Sequence, residues 1–348
     1  MSIRCVPFVR SKFGTIACMR ALLFFLPAAA FAAACTTTTE CTEWIRYGSG
    51  PSRSLVYRTY PLEARNENIK RAFVMVHGAS RDADNYFRTA VAAAFLGGAL
   101  EDTIVIAPRF VSASNGGCAD KLAANEVNWP CGGDSWRSGG VSTSDKELNS
   151  YDFADEILRK LARKETFPNL RAIVVAGHSA GGQFVTRYEM SNKLHDSLGV
   201  KITYVVANPS SYAYLDPMRP AADGKNVGRF GDGRNCTTYN MWPYGLESRG
   251  NGYTSRIPDD VLKKQLAARP TTYLLGELDI LPLAGFDSSC PAMAQGPTRL
   301  ARGQAFVNYV TAKYGAVNHK AVVVPLCGHN ARCMFTADPA LAIIFPKD

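Results

Sequence analysis

The chain has 348 residues, of which 47% are hydrophobic and 20% are charged, and its formal net charge is +9. This composition excludes a disordered or fibrous protein and is sufficient for one large hydrophobic core or two smaller ones. The basic residues form neither a run nor a stripe with interleaved aromatic residues, so we expect no nucleic-acid partner.

Residues 1–34 have the composition of a secretory signal peptide. They contain no acidic residue, and their apolar run, residues 21–34, ends in three alanines after the basic residues Arg4, Arg10, Lys12 and Arg20. This pattern is typical of export signals, and the run is shorter than the roughly 18 to 20 apolar residues that cross a bilayer. We predict a secreted or periplasmic protein without a transmembrane segment. Met19 is an alternative start, because Arg20 and the apolar run would themselves form a complete signal.

Without residues 1–34 the net charge is +5, and eight of the ten cysteines remain. An even number of cysteines in an exported chain predicts disulfides rather than zinc ligands, since no pair forms a CxxC motif. Other pairings stay open, but the spacing favours the local pairs Cys35–Cys41, Cys118–Cys131 and Cys327–Cys333, which leaves Cys236–Cys290 as a pair over a longer distance. A lipid on Cys35 is an alternative that Ala32 disfavours, because lipid-attachment sites usually have a larger aliphatic residue at that position.

Apolar runs alternate with segments of helical periodicity along the rest of the chain. Buried strands are predicted at 72–76, 103–107, 172–176, 202–207, 271–275 and 321–326, an earlier strand at 55–60, and helices at 151–162, 182–194 and 298–314. This alternation predicts an α/β fold with a mostly parallel central sheet and helices on both faces.

Two segments, 111–141 and 210–251, have no stable periodicity and are rich in Gly, Asn, Pro and aromatic residues. Loops of this length in a compact domain usually form the lid or wall of a site. We therefore expect one catalytic domain, residues 35–348, with a loop-rich cap formed by these insertions. Their aromatic residues are candidates for substrate binding, although they could instead form the core of the cap: Trp129, Trp136, Tyr212 and Trp242.

The strongest local motif is Gly177-His178-Ser179-Ala180-Gly181, between the strand at 172–176 and the following helix. A G-x-S-x-G sequence at a strand-to-helix turn is typical of a nucleophile elbow, in which small residues allow a tight turn that exposes the serine. The motif is also common by chance, so its place in the strand–turn–helix context carries the prediction. Ser179 is the predicted nucleophile.

A second motif, His77-Gly78-Ala79-Ser80, ends the strand at 72–76. In a parallel sheet this loop lies at the same edge as the elbow, so backbone N–H groups there can face an oxyanion. The predicted donors are the amides of Ala79 and Ala180.

Only one of the five histidines suits the role of general base. His77 and His178 lie within the two turns, His195 lies near a helix end, and His319 precedes a strand. His329 follows the last strand and therefore reaches the edge from which Ser179 emerges.

The orienting acid should follow the preceding strand, where Asp279 is the first choice and Glu277 and Asp287 are alternatives. No spacing typical of metal ligands occurs, and we predict neither a metal nor a cofactor.

The serine, acid and histidine occur in the chain order of the α/β-hydrolase superfamily, which the sequence resembles over about residues 50–345. It is also similar to secreted esterase-like hydrolases in Gly177 to Gln183, Gly-His-Ser-Ala-Gly-Gly-Gln, and in Asn208 to Tyr212, Asn-Pro-Ser-Ser-Tyr. The resemblance implies a serine hydrolase that cleaves carboxylic esters through an acyl-enzyme. A His-Gly-Ala-Ser loop in place of His-Gly-Gly-Gly argues against esters of tertiary alcohols.

The substrate predicted in this way is a small-molecule or polymeric ester. A polyester depolymerase or a peptidase with the same triad is the alternative enzyme. A non-catalytic protein of the same fold is less well supported, because no triad member is missing.

Overall fold

The computed structural model describes residues 33–113, 117–132, 136–221, 223–224, 226–231, 235–250, 252–283 and 285–347. These belong to one compact unit, Ala33–Asp348. The predicted signal peptide lies outside the described residues except for its last two positions. No helix in the described ranges is long and apolar enough to cross a membrane.

The main sheet has eight strands in the order β1-β2-β4-β3-β5-β6-β9-β10. The strands of this sheet are β1 (Thr42–Arg46), β2 (Arg53–Arg58), β3 (Arg71–Val76), β4 (Thr103–Pro108), β5 (Ala172–His178), β6 (Lys201–Ala207), β9 (Thr271–Gly276) and β10 (His319–Val324). β2 pairs antiparallel with both β1 and β4, and every other pairing is parallel. Strands β7 (Met218–Pro220) and β8 (Val227–Arg229) form a separate hairpin.

Helices cover both faces of the sheet, as predicted. In the described residues they are α1 (Ala83–Leu96), α2 (Ser150–Leu161), α3 (Ala180–Ser191), α4 (Asp259–Ala268), α5 (Cys290–Met293), α6 (Arg299–Tyr314), α7 (Ala331–Thr336) and α8 (Asp338–Ile344). The start of α2 is fixed by a capping box, in which Asn149 and Asp152 each accept a hydrogen bond from the other's backbone N–H.

Alternating side chains of the buried strands supply two hydrophobic cores. Val74 and Val175 pack on the face covered by α2, α3 and α6. Phe73 and Val174 pack on the face covered by α1, α7 and α8. The near-continuous apolar runs of the inner strands therefore reflect burial on both sides. The strand predicted as buried at 321–326 differs, because β10 is an edge strand in which Ala321 and Val323 are exposed.

The register of the parallel strands brings their carboxyl ends together. Val76 of β3 pairs with Gly177 of β5, and His178 pairs with Ala207 of β6. At the other end of this series, Gly276 of β9 pairs with Val324 of β10. The loops after β3, β5, β9 and β10 consequently leave the sheet at one edge.

Candidate active site

Ser179 stands between β5 and α3 with φ +58° and ψ −118°, a backbone conformation that non-glycine residues rarely adopt. Neighbouring backbone leaves no room for side chains on either side of the serine. A Cβ at Gly177 would lie 2.3 Å from the carbonyl oxygen of Gly181, and one at Gly181 would lie 2.2 Å from that of Val76. The glycines of the motif are thus required by this turn.

The structure brings the three predicted triad residues together. His329 Nε2 is 3.0 Å from Ser179 Oγ, and His329 Nδ1 is 2.7 Å from Asp279 Oδ2. Because an ionised carboxylate can only accept, Nδ1 carries the proton and Nε2 is the acceptor for the serine hydroxyl. The arrangement can take a proton from Ser179 when its oxygen attacks an electrophile.

The alternative acids have other partners. Glu277 accepts a hydrogen bond from the backbone N–H of Leu326, and Asp287 accepts one from the Tyr244 hydroxyl. Neither contacts His329 among the hydrogen bonds of the described residues, so the geometry favours Asp279.

Arg299 is a residue of this cluster that the sequence did not reveal. Its guanidinium lies 3.3 Å from Asp279 Oδ1, and both side chains are almost completely buried. It also donates to Ser210 Oγ at 2.8 Å and lies over the ring of Phe286. Burial lowers the pKa of Arg299, and the carboxylate of Asp279 opposes that shift. The arginine therefore compensates the charge of a carboxylate that is buried beneath the histidine.

One signal could have suggested Arg299. It occupies the first turn of α6, where the helix dipole disfavours a positive charge. A basic residue at that position indicates a nearby anion.

His178 packs against His329, with ring centroids 4.6 Å apart. Burial, with further contributions from His329 and Arg299, holds the pKa of His178 well below its ordinary value. Its Nδ1 lies 3.2 Å from the Tyr86 hydroxyl. A neutral ring at this position adds no positive charge beside the imidazolium that would form on His329.

The loop after β3 is held against the nucleophile. A Cβ on Gly78 would lie 3.8 Å from Ser179 Cβ. His77 fixes this loop, because its Nε2 accepts from the Phe110 N–H at 3.0 Å and its Nδ1 donates to the Gly78 carbonyl at 2.8 Å. Burial lowers the pKa of His77 to about 4, which keeps the ring neutral in these two bonds.

The predicted oxyanion donors are the backbone N–H groups of Ala79, in the loop after β3, and of Ala180, at the start of α3. Neither donates to another group in the part of the chain that the structure describes. Ala79 also lines the crevice that contains Ser179. Both groups are therefore available to an external acceptor.

That crevice has a volume of about 580 Å³ and is bounded by the loop after β3, by α1 and by α7. Its wall contains polar side chains that the sequence reasoning did not single out: Ser80, Asp82, Asn85, Tyr86, Thr89, Asn330 and Arg332. They lie in the loop after β3, in helix α1, which had no predicted function, and at the start of α7, directly after His329.

The prediction that aromatic residues of the insertions bind substrate requires correction. Trp129, Trp136 and Tyr212 are buried in the hydrophobic core, and none of them lines the crevice. Trp136 stacks on Phe110, and Tyr212 stacks on Phe306. Burying these large rings stabilises segments that have no regular hydrogen-bonding pattern.

Trp242 is partly buried against the same core, and its indole N–H donates to the carbonyl of Ser138. The insertions therefore pack on one another and on the sheet, and they supply none of the crevice residues in the described ranges.

Four disulfides join Cys35–Cys41, Cys118–Cys131, Cys236–Cys290 and Cys327–Cys333, the pairs that the spacing favours. The last of these closes the loop that carries His329, and the first engages the sulfur that a lipid would need. No group of His, Cys, Asp or Glu in the described ranges is placed to hold a metal ion.

The chain is similar to poly(aspartic acid) hydrolase-1 from Sphingomonas sp. KT-1, with a TM-score of 0.60 and 22% identity over 87% of this chain and 98% of the other. It is also similar to LpqC, a poly(3-hydroxybutyrate) depolymerase from Bordetella parapertussis, with a TM-score of 0.58 and 22% identity over 85% of each chain. No curated protein matches the sequence significantly. The model of the alpha/beta hydrolase family matches residues 73–343, and the chain therefore belongs to the alpha/beta hydrolase family.

Proposed function

We propose that the protein is a serine hydrolase that cleaves carboxylic esters through an acyl-enzyme intermediate. The observation that carries this proposal is the continuous chain of contacts from Ser179 Oγ through His329 to Asp279, with separations of 3.0 and 2.7 Å. It is situated at a crevice, next to backbone N–H groups that have no acceptor of their own among the described residues.

In the proposed mechanism Ser179 Oγ attacks the ester carbonyl carbon while His329 Nε2 takes the serine proton. The N–H groups of Ala79 and Ala180 stabilise the negative charge on the carbonyl oxygen. His329 then protonates the departing alkoxide, which leaves the acyl group on Ser179. A water molecule, deprotonated by the same histidine, releases the acid and restores the serine.

Asp279 holds His329 with Nε2 facing the serine and stabilises the imidazolium. Arg299 keeps that carboxylate compensated in a buried environment. We assign esters rather than amides as substrates by analogy at the level of the fold.

We also propose that the protein acts outside the cytoplasm. The four disulfides and the composition of residues 1–34 support this location, because disulfides persist in oxidising compartments.

The proposal is tested with a fluorophosphonate probe, which phosphonylates an activated serine. We expect the native protein to be labelled and the Ser179→Ala variant to remain unlabelled. Ser80→Ala is the matched control, since Ser80 lies in the same crevice but contacts no histidine in the described structure, and it should be labelled normally. An unlabelled native protein, or equal labelling of Ser179→Ala, contradicts the assignment.

A substrate panel then separates the activities that share this triad. Turnover of a short-chain nitrophenyl ester, without cleavage of a peptide amide, is the expected result. Cleavage of the peptide alone would replace the esterase assignment with a peptidase.

A further inference from the structure

Five large aliphatic side chains beside the active site face solvent. We call them the apolar rim, and their exposed fractions are 51% for Leu278, 50% for Ile280, 57% for Leu281, 55% for Leu283 and 80% for Leu326. Single exposed apolar residues are common on protein surfaces, whereas a contiguous group marks an interaction site.

The apolar rim is continuous with the loops that carry the triad. Leu278 and Ile280 flank Asp279, whose own side chain is buried and contacts His329. The N–H of Leu278 donates to the Cys327 carbonyl, and the N–H of Leu326 donates to Glu277. These bonds join the segment after β9 to the segment after β10. The exposed leucine and isoleucine side chains therefore lie on the same two loops whose inner side holds the acid and the histidine.

Leu326 adds an independent observation. Its φ is +57°, a left-handed conformation that is costly for a leucine, and it is the most exposed side chain of the rim. Packing within the protein does not compensate that cost. Such strain beside a site indicates a functional constraint on the residue.

The crevice itself has the opposite character. None of its lining residues is Leu, Ile, Val, Phe or Met in the part of the chain that the structure describes. Asn85, Thr89 and Arg332 instead line the crevice that contains Ser179 with polar side chains. A long alkyl chain would find no apolar wall there, whereas a chain with an ester group every few atoms would find partners for its carbonyl oxygens.

We propose that the apolar rim adsorbs the enzyme to the surface of a solid aliphatic polyester with short repeat units, so that a chain segment can enter the polar crevice. This inference rests on the proposed ester hydrolase function and specifies its substrate class. Each cut breaks one acyl–oxygen bond, consumes one water, and leaves one hydroxyl end and one carboxyl end.

The charges around the rim disfavour a lipid membrane as the partner. Residues 276–289 contain no basic residue, and the acidic side chains there that are not buried belong to Glu277 and Asp287. Surfaces that bind anionic bilayers are instead rich in Lys and Arg. An uncharged polyester surface imposes no such requirement.

Adsorption is measured with the Ser179→Ala variant, so that binding does not depend on turnover. We expect this variant to be depleted from solution by a poly(3-hydroxybutyrate) film. Adding Leu281→Ser and Leu283→Ser should weaken its apparent affinity by about tenfold, because two apolar contacts with the film are lost.

The matched control adds Phe95→Ser and Val317→Ser, two side chains that are 69% and 76% exposed. They lie at the end of α1 and before β10, which is the opposite edge of the sheet, and the affinity should change less than twofold. Equal adsorption of the rim variant and its parent, or an equal loss in the control, would overturn the proposal.

Parallel measurements use vesicles of anionic phospholipid, emulsified triolein and sedimentation velocity. Adsorption to either lipid phase but not to the film overturns the proposal, as does a rim-dependent dimer with unchanged film binding. The adsorption assay is independent of catalysis. If the protein with Ser179 intact fails to hydrolyse a soluble nitrophenyl ester, the proposed function fails whatever the film shows.

Discussion

The described part of the chain contains two imidazole–carboxylate pairs, one at each end of β10. His329 follows the strand, and its Nδ1 lies 2.7 Å from Asp279. His319 begins the strand, and its Nε2 lies 3.4 Å from Glu189. The same two chemical groups therefore meet at the edge with the crevice and at the edge without it.

The two pairs differ in whether the histidine has a nitrogen that faces the crevice. His319 is enclosed, with Nε2 2.7 Å from the Leu266 carbonyl and Nδ1 3.0 Å from the Tyr273 hydroxyl. His329 uses one nitrogen for Asp279 and turns the other toward Ser179 and the crevice. A histidine beside an acid becomes a candidate base only where one nitrogen remains for the reaction.

The largest expected effect separates the two histidines. Under the proposed function, His329→Ala should lower kcat/KM on a soluble ester about ten-thousand-fold, because the serine loses its base. His319→Ala should leave kcat/KM of the folded fraction within about threefold and lower the Tm, since it removes buried bonds. Steady-state kinetics and thermal melts on both variants make the comparison. A comparable catalytic loss in folded His319→Ala would end the distinction.

A smaller effect is expected from the arginines that serve the two ends of the sheet. Arg299→Met should reduce kcat/KM about tenfold and destabilise the fold by about 3 kcal/mol, because the buried Asp279 loses its compensating charge. Without that cation the imidazolium forms more readily, so the acidic limb of the pH–rate profile should move to higher pH.

The control is Arg269→Met. Arg269 is also buried, but it donates to the carbonyl groups of Glu189 and Asn192, far from the crevice edge. It should lose stability while keeping the wild-type pH–rate profile. If the pH–rate profile of Arg299→Met is not shifted, Arg299 has a structural role only.

Much of the active-site edge was predictable from sequence because strand exits are predictable. Runs of apolar residues predicted β3, β5, β9 and β10, and the parallel arrangement places their carboxyl ends together. That reasoning led to Ser179, Asp279 and His329, which the structure brings into contact.

The ends of the last strand, β10, were predicted less well. The predicted run, 321–326, becomes His319–Val324, because Pro325 ends the strand and Leu326 turns to positive φ. His319 therefore lies within β10 instead of before it.

Features without periodicity could not be predicted. Helix α1 is rich in alanine, so its buried face, which includes Ala90, Ala93 and Ala94, gives a weak pattern of large apolar residues. In the irregular insertions, nothing distinguishes an aromatic side chain that lines a crevice from one that fills a core. The sequence therefore left both alternatives open for Trp129 and Tyr212, and the structure places both side chains in the core.

The smallest expected effect is a dependence of stability on pH at the His319 end. Burial alone would lower the pKa of His319, but Glu189 and backbone carbonyls outweigh it and raise the pKa above the ordinary 6.5. Protonated His319 thus contributes stability that is fully present below about pH 6.5 and is lost as the pH rises through the higher folded-state pKa. In Glu189→Gln the charge that contributes most to the raised pKa of His319 is gone, while the backbone carbonyls remain. The Tm advantage of the native protein over this variant should therefore shrink by a few degrees between pH 6 and pH 8.

The same measurement separates the effect of His319 on stability from that of a second group that titrates in a similar pH range. Burial raises the pKa of Asp155 to about 6, so this carboxyl also lowers stability as the pH rises. Asp155 is present in both proteins, and its effect cancels in the difference of Tm. If the difference in Tm between the native protein and Glu189→Gln stays constant from pH 6 to pH 8, Glu189 does not raise the pKa of His319.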